Sequence, residues 1–83
     1  MTWERPTMTW EYRVTKRGAQ GAETYEIREV YYNAAGEILM WSTDADKPSG
    51  DDLEELAADL NCMTRALSKP VLDFDEMQRR ETP

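Results

Sequence analysis

Two β-like segments joined by a turn sequence, residues 24–43, constrain the fold of this chain most strongly. Residues 24–32 (TYEIREVYY) and 37–43 (EILMWST) are rich in β-branched and aromatic side chains, which favour strands. Residues 33–36 (NAAG) suit a three-residue hairpin loop, in which a type I turn starts at Asn33 and Gly36 follows in the left-handed conformation. The sequence therefore predicts a β-hairpin.

The turn also predicts which hairpin residues share a face. In this register Asn33 lies opposite Glu37 and Tyr32 opposite Ile38, and the pairing continues along both strands. One face then carries Tyr25, Ile27, Glu29, Tyr31, Leu39 and Trp41. The other face carries Val30, Tyr32, Ile38 and Met40, with Arg28 and Glu26 farther from the turn. A loop longer by one residue would shift the register by one and move each side chain of the third strand to the opposite face.

A first strand precedes the hairpin. Trp10, Tyr12 and Val14 alternate with polar residues, and this period of two is typical of a strand with one buried face. The glycines in residues 18–21 suit the connection to the hairpin, because glycine adopts positive φ angles without strain.

A helix is predicted after the polar loop 44–50. Asp52 with Glu55 forms a capping box at its start, and Asp51 with Glu54 fits equally well. Apolar residues recur at steps of three and four, which indicates an amphipathic helix with one apolar stripe. The stripe consists of Leu53, Leu56, Ala57, Leu60, Met63 and Leu67. Pro70 ends the helix, since proline disfavours helical conformation at the residue before it.

These elements predict an α+β fold in which a three-stranded antiparallel β-meander packs on one α-helix (β-β-β-α). Residues 8–75 form a single domain, residues 1–7 a flexible N-terminal tail and residues 76–83 a flexible C-terminal tail. One helix covers one face of the sheet, so the other face needs a partner or remains exposed.

The composition argues against several classes of function. The chain has no histidine and one cysteine, Cys62, which excludes imidazole-based catalysis, imidazole metal sites and an intrachain disulfide. The net charge of −7 argues against non-specific nucleic-acid binding, which needs Lys and Arg to neutralise phosphates. No apolar run approaches the roughly 20 residues of a membrane span. We therefore expect a cytoplasmic protein that is not an enzyme, carries no cofactor or metal, and binds neither nucleic acid nor membrane.

Carboxylates are the only plentiful reactive groups, and two interpretations of them stay open. Residues 44–83 contain five basic and 11 acidic residues, and 5 − 11 = −6 of the total charge. Such a surface either binds a basic protein, or simply reflects solvation and the preference of acids for the first turn of a helix. Glu29 lies inside an apolar strand pattern, and we expect it to form a salt bridge with Arg13 or Arg28 rather than to act in catalysis.

Several segments resemble a family of small uncharacterised bacterial proteins. The resemblance implies no activity. The residues that carry it are 10–14 (WEYRV), 24–32, Trp41, 48–50 (PSG), 53–56 (LEEL), Leu67, Pro70, Val71 and Leu72. The entry to the helix, with Gly50, Asp52, Glu54 and Glu55, is similar to that of the HicB-type antitoxin domain, which has a β-β-β-α core. This second resemblance implies a toxin-masking role, although no Pro-Gly-Cys-type segment follows the third strand.

The sequence thus predicts a non-enzymatic protein-interaction module. It would bind itself as a homodimer, or another protein, through the sheet face that the helix leaves uncovered. The predicted interface residues are Val30, Tyr32, Ile38 and Met40. The alternative is an acidic inhibitor or antitoxin-like partner of a basic nuclease or nucleic-acid-binding protein.

Overall fold

A four-stranded mixed sheet with a helix on each face makes up residues 8–81, the part of the chain that the structure, a computed structural model, describes. The sheet order is β3-β2-β1-β4, with strands β1 Thr9–Arg17, β2 Thr24–Tyr32, β3 Ile38–Trp41 and β4 Leu72–Asp73. The helices are α1 Leu53–Arg65, which continues into a 3-10 turn over Ala66–Ser68, and α2 Phe74–Glu81. The tail predicted for residues 1–7 lies outside the described residues.

The α+β class is confirmed, but the sheet has a fourth strand and a second helix packs on it. β1, β2 and β3 form the predicted antiparallel meander. β4 then pairs in parallel with β1, where Thr15 lies opposite Leu72. Residues 76–81, predicted to be part of a flexible C-terminal tail, belong to helix α2.

The predicted hairpin turn is confirmed in detail. Gly36 has a φ of +82°, its N–H donates to the Asn33 carbonyl at 3.0 Å, and the Asn33 N–H donates to the Glu37 carbonyl at 2.9 Å. The Asn33 side chain also accepts from the N–H groups of Ala35 and Glu37. A side chain that satisfies loop N–H groups, followed by glycine at positive φ, is enough to fix this turn locally.

A β-bulge changes the register beyond the turn. Tyr32 lies opposite Ile38, as predicted, but Tyr31 lies opposite Met40 and Val30 opposite Trp41. Leu39 is the extra residue, and from Met40 onward each side chain of β3 points to the face opposite to the predicted one. The predicted faces of Met40 and Trp41 are therefore wrong.

The two sheet faces differ in character. The face under α1, called the α1 face, carries alternate residues of the central strands, namely Trp10, Tyr12, Val14, Tyr25, Ile27, Glu29 and Tyr31. The face under α2, called the α2 face, carries Glu11, Arg13, Thr15, Glu26, Arg28, Val30 and Tyr32. The predicted division of β2 between the two faces is confirmed, since it depends only on the period of two.

Few apolar side chains are buried in the described residues. Val14, Met63 and Ala66 are buried on the α1 face, and Val30 and Phe74 on the α2 face. Arg28 is also buried, where it pairs with Glu26 at 3.1 Å and lies 3.9 Å from the centroid of the Phe74 ring. Because of this cation–π contact, Phe74 of α2 packs against the charged guanidinium of Arg28 and not only against apolar side chains.

Helix α1 begins as predicted but buries little of its apolar stripe. The Asp52 side chain accepts from the Glu55 N–H at 2.8 Å, and the Glu55 carboxylate accepts from the Asp51 N–H at 2.9 Å. Of the stripe only Met63 is buried, and Leu53, Leu60 and Leu67 are exposed. Most of the apolar stripe therefore lies at the surface of the protein and not in its core.

Gly50 packs against the backbone of the first turn of α1. A Cβ at this position would overlap the Leu56 nitrogen and would lie 2.7 Å from the Glu55 carbonyl carbon. Because backbone atoms cannot move aside as a flexible side chain does, Gly50→Ala should lower the free energy of unfolding by about 1–3 kcal/mol in urea titrations. Ser49→Ala is the control and should change it by less than about 0.5 kcal/mol. Equal stability of both variants would contradict this packing.

Candidate functional site

The four predicted interface residues do not form one exposed surface. Val30 is fully buried on the α2 face, and Tyr32, on the same face, is half-buried. The Tyr32 hydroxyl accepts from Arg13 at 2.9 Å and donates to Glu11 at 2.8 Å. Ile38 and Met40 are exposed, but the bulge places Met40 on the opposite face. The shared surface predicted for these residues is wrong, because α2 covers Val30 and the register shifts after Ile38.

The uncovered part of the sheet lies on the α1 face instead. Trp10 of β1 lies opposite Tyr31 of β2, which in turn lies opposite Met40 of β3. These three side chains form a line across three strands, called here the aromatic row. Trp10 is 51% exposed and Met40 50% exposed, while Tyr31 is half-buried. The row is a continuous apolar strip that α1 does not cover.

Internal contacts fix the geometry of the aromatic row. The Trp10 ring centroid lies 5.2 Å from that of Tyr12 in an edge-to-face arrangement and 6.3 Å from that of Tyr31. The Tyr31 hydroxyl donates to the Glu29 carboxylate at 2.5 Å, and this bond raises the pKa of Tyr31. The rings are therefore held in place without a partner, which lowers the entropy cost of binding one.

A second exposed apolar surface is the groove between α1 and β2, called the α1 groove. It has a volume of about 500 Å³. Its lining consists of Val14, Tyr25, Glu26, Ile27, Ala45, Asp46, Pro48, Leu60, Met63, Thr64 and Leu67. Most of these residues are apolar, and Tyr25, Leu60 and Leu67 are exposed.

Two hydrogen bonds to Asp59 hold α1 at its distance from the sheet. The Tyr12 hydroxyl donates to one Asp59 oxygen at 2.6 Å, and the Ser49 N–H donates to the other at 2.9 Å. Both bonds lower the pKa of Asp59, and the bond from Tyr12 has the larger effect. Burial, followed by the bond to Asp59, raises the pKa of Tyr12. The polar tether keeps helix, loop and strand in a fixed arrangement around the groove.

Asp46 is the last residue of the segment 42–46, which runs along the outer edge of β2. Its carboxylate accepts from the Glu29 N–H at 2.8 Å and from the Ser42 hydroxyl at 3.2 Å, and its own N–H donates to the Ile27 carbonyl at 2.9 Å. Burial raises the pKa of Asp46, although the bond from the Glu29 N–H acts in the opposite direction. Segment 42–46 thus covers the outer edge of β2 only as far as Ile27.

The prediction that Glu29 forms a salt bridge with Arg13 or Arg28 is wrong. Glu29 lies on the α1 face, whereas Arg13 and Arg28 lie on the other. Arg28 instead pairs with Glu26 on its own face. Neighbouring residues of a strand point to opposite sides of the sheet, so proximity in sequence cannot bring Arg28 to Glu29.

Cys62 is exposed on α1. It lines a notch with Trp10, Arg65 and Lys69, next to the aromatic row. The notch brings two basic side chains close to the exposed indole.

Within residues 8–81, no group of three or more His, Cys, Asp or Glu residues is arranged to hold a metal ion. In the same residues no helix has the length and apolar character needed to cross a membrane.

No protein-family model, curated protein or solved structure matches this chain. The resemblances to small bacterial proteins and to the HicB-type antitoxin domain therefore stay predictions.

Proposed function

We propose that this protein is a non-enzymatic protein-interaction module whose aromatic row binds a second copy of the chain. The observation that carries the proposal is the alignment of Trp10, Tyr31 and Met40 across three strands, with two of them half exposed. Tryptophan, tyrosine and methionine are the residue types that interfaces favour. A binding site of this kind is consistent with the small number of buried apolar side chains, because association buries further apolar area.

The charges around the row support a second copy as the occupant. Arg65 and Lys69 line the notch beside Trp10, and Lys69 forms an ion pair with Glu11. A two-fold interface places the same patch on both copies, and the pairing of Lys69 with Glu11 within each copy lowers the like charge that the two patches bring together. The strongly acidic segment 44–60 contributes none of the residues that line this notch.

Light scattering on the purified protein tests this proposal. The native chain should change from monomer to dimer as the concentration rises toward about 1 mM, which corresponds to a binding free energy of about −4 kcal/mol. Trp10→Ser and Met40→Ser should each raise the dissociation constant about tenfold, because each removes apolar contact area from the interface. Val71→Ser, which removes an equally exposed apolar side chain elsewhere, should change it less than about twofold.

A chain that stays monomeric at about 1 mM contradicts self-association. Binding of a different protein, lost in Trp10→Ser and kept in Val71→Ser, would instead show that the row serves a hetero-partner.

A further inference from the structure

The α1 groove is distinct from the aromatic row and carries an inference of its own. Leu67 is 71% exposed and Leu60 46% exposed, and both face the apolar β2 residues Tyr25 and Ile27 across the groove. Leu60 and Leu67 are seven positions apart, so the helical wall extends about 10 Å along the axis at 1.5 Å per residue. This length matches a bound segment of about three extended residues.

The groove ends at an open strand edge. The Glu29 N–H and C=O both point away from β1, since they bond with Ser42 and Asp46. In an antiparallel pair this direction repeats every second residue, so the backbone groups of Ile27 and Tyr25 also point outward. Segment 42–46 reaches only the Ile27 carbonyl, and among the described residues none bonds to the outward groups of Tyr25. An unpaired edge of this kind accepts an added strand.

The groove lies beside a strongly acidic segment of the chain, called here the acidic wall. Residues 44–60, which form the loop and the first two-thirds of α1, contain seven carboxylates and one lysine. Of these carboxylates, that of Asp46 belongs to a residue that lines the groove directly. Several of the others, such as Asp44 and Glu54, are exposed and make no hydrogen bond or ion pair. A second copy would bring this charge against itself, whereas a basic segment would be attracted to it.

From these three observations we propose that the α1 groove binds an extended, cationic segment of a partner protein. The segment pairs its backbone with the open edge of β2 at Tyr25. Its alternate apolar side chains enter the groove between Ile27 and Leu60, and its Lys or Arg residues face the acidic wall. Main-chain pairing provides affinity, and the apolar and charged side chains provide specificity.

A short synthetic peptide that alternates lysine and valine, labelled with a fluorophore, is the probe for this site. Fluorescence anisotropy should show binding that weakens about tenfold when NaCl rises from about 50 to 500 mM, because salt screens the attraction to the acidic wall. The same peptide with glutamate in place of lysine should not bind. A version with N-methylated backbone amides should bind at least about tenfold more weakly, since it cannot donate to the edge of β2.

Variants of the protein locate the peptide. Leu60→Asn with Leu67→Asn should weaken binding about tenfold or more, whereas Leu39→Asn, which changes a side chain of matching 45% exposure on β3, should change it less than about twofold. Asp44→Asn with Glu54→Gln alters no hydrogen bond and should reduce the salt dependence while the fold stays intact. Trp10→Ser should leave peptide binding unchanged, which separates this site from the aromatic row.

The proposal is overturned if the lysine peptide does not bind at about 1 mM. It is also overturned if the Leu60 and Leu67 changes have no effect in a folded protein, or if the glutamate or N-methylated peptide binds equally well.

Discussion

Replacing Arg28 by alanine should lower the free energy of unfolding by about 3–5 kcal/mol, the usual cost of removing one partner from a buried ion pair. Arg28 is buried, pairs with Glu26, donates to the Thr15 hydroxyl at 2.5 Å and lies against the Phe74 ring. The variant loses all of these contacts at once. A domain of this size has a total stability of about 4–12 kcal/mol, so the loss in Arg28→Ala amounts to a quarter of the stability or more.

Urea unfolding followed by circular dichroism measures this effect. Arg28→Met should lower the free energy of unfolding less than Arg28→Ala does. Methionine fills the space of the arginine side chain, and Glu26 keeps its ion pair with Arg17 at 2.8 Å. Arg80→Ala is the matched control, since Arg80 forms an exposed pair with Glu76 within α2 that is worth less than about 0.5 kcal/mol. A loss below about 1 kcal/mol for Arg28→Ala would show that the buried guanidinium does not hold the α2 face together.

Phe74→Ala should lower the free energy of unfolding by about 3–5 kcal/mol, since it removes a buried ring from a small core. It also uncovers Arg28, whose guanidinium then loses its cation–π contact. Far-ultraviolet circular dichroism should show the loss of α2 even where the sheet remains folded, because Phe74 is the buried residue of that helix.

Val71→Ala tests whether this effect is specific to the buried ring. Val71 is exposed and precedes β4, so its truncation should cost less than about 1 kcal/mol. The effects of changing Arg28 and Phe74 should not add in the double variant, because the two side chains are in contact. An unchanged stability in Phe74→Ala would mean that α2 does not pack on the sheet.

The candidate surfaces could be predicted only in part. The sequence indicates that Trp10, Tyr31 and Met40 are apolar strand residues, and that Leu60 and Leu67 belong to one helical stripe. It does not indicate that Leu60 and Leu67 are exposed, since an amphipathic stripe usually faces the core. Their exposure follows from where α1 lies on the sheet, a position marked by the hydrogen bond from Tyr12 to Asp59, 47 positions away in the chain.

Helix α2 had a local signal that the sequence analysis missed. The Asp73 carboxylate accepts from the Glu76 N–H at 3.0 Å, as a helix N-cap does. Acidic residues follow in the first turn, and Arg79 and Arg80 occupy the last. The only apolar residues of the helix are Phe74 and Met77, three positions apart on one face, so the capping pattern and this short spacing were the signals that could have found it.

The sequence by itself determined the turn at Asn33 and Gly36, the cap at Asp52, the three antiparallel strands and the division of β2 between two faces. Each of these depends on neighbours within a few positions and on the period of two. The bulge at Leu39, the parallel pairing of β4 with β1 and the burial of Val30 under α2 were decided by the tertiary structure. The β4 pairing and the burial of Val30 arise from contacts between residues distant in the chain. The bulge lies within the hairpin, but it turns Trp41 to the α2 face, where Trp41 and Met77 line one cavity, and this neighbour exists only once α2 has packed on the sheet.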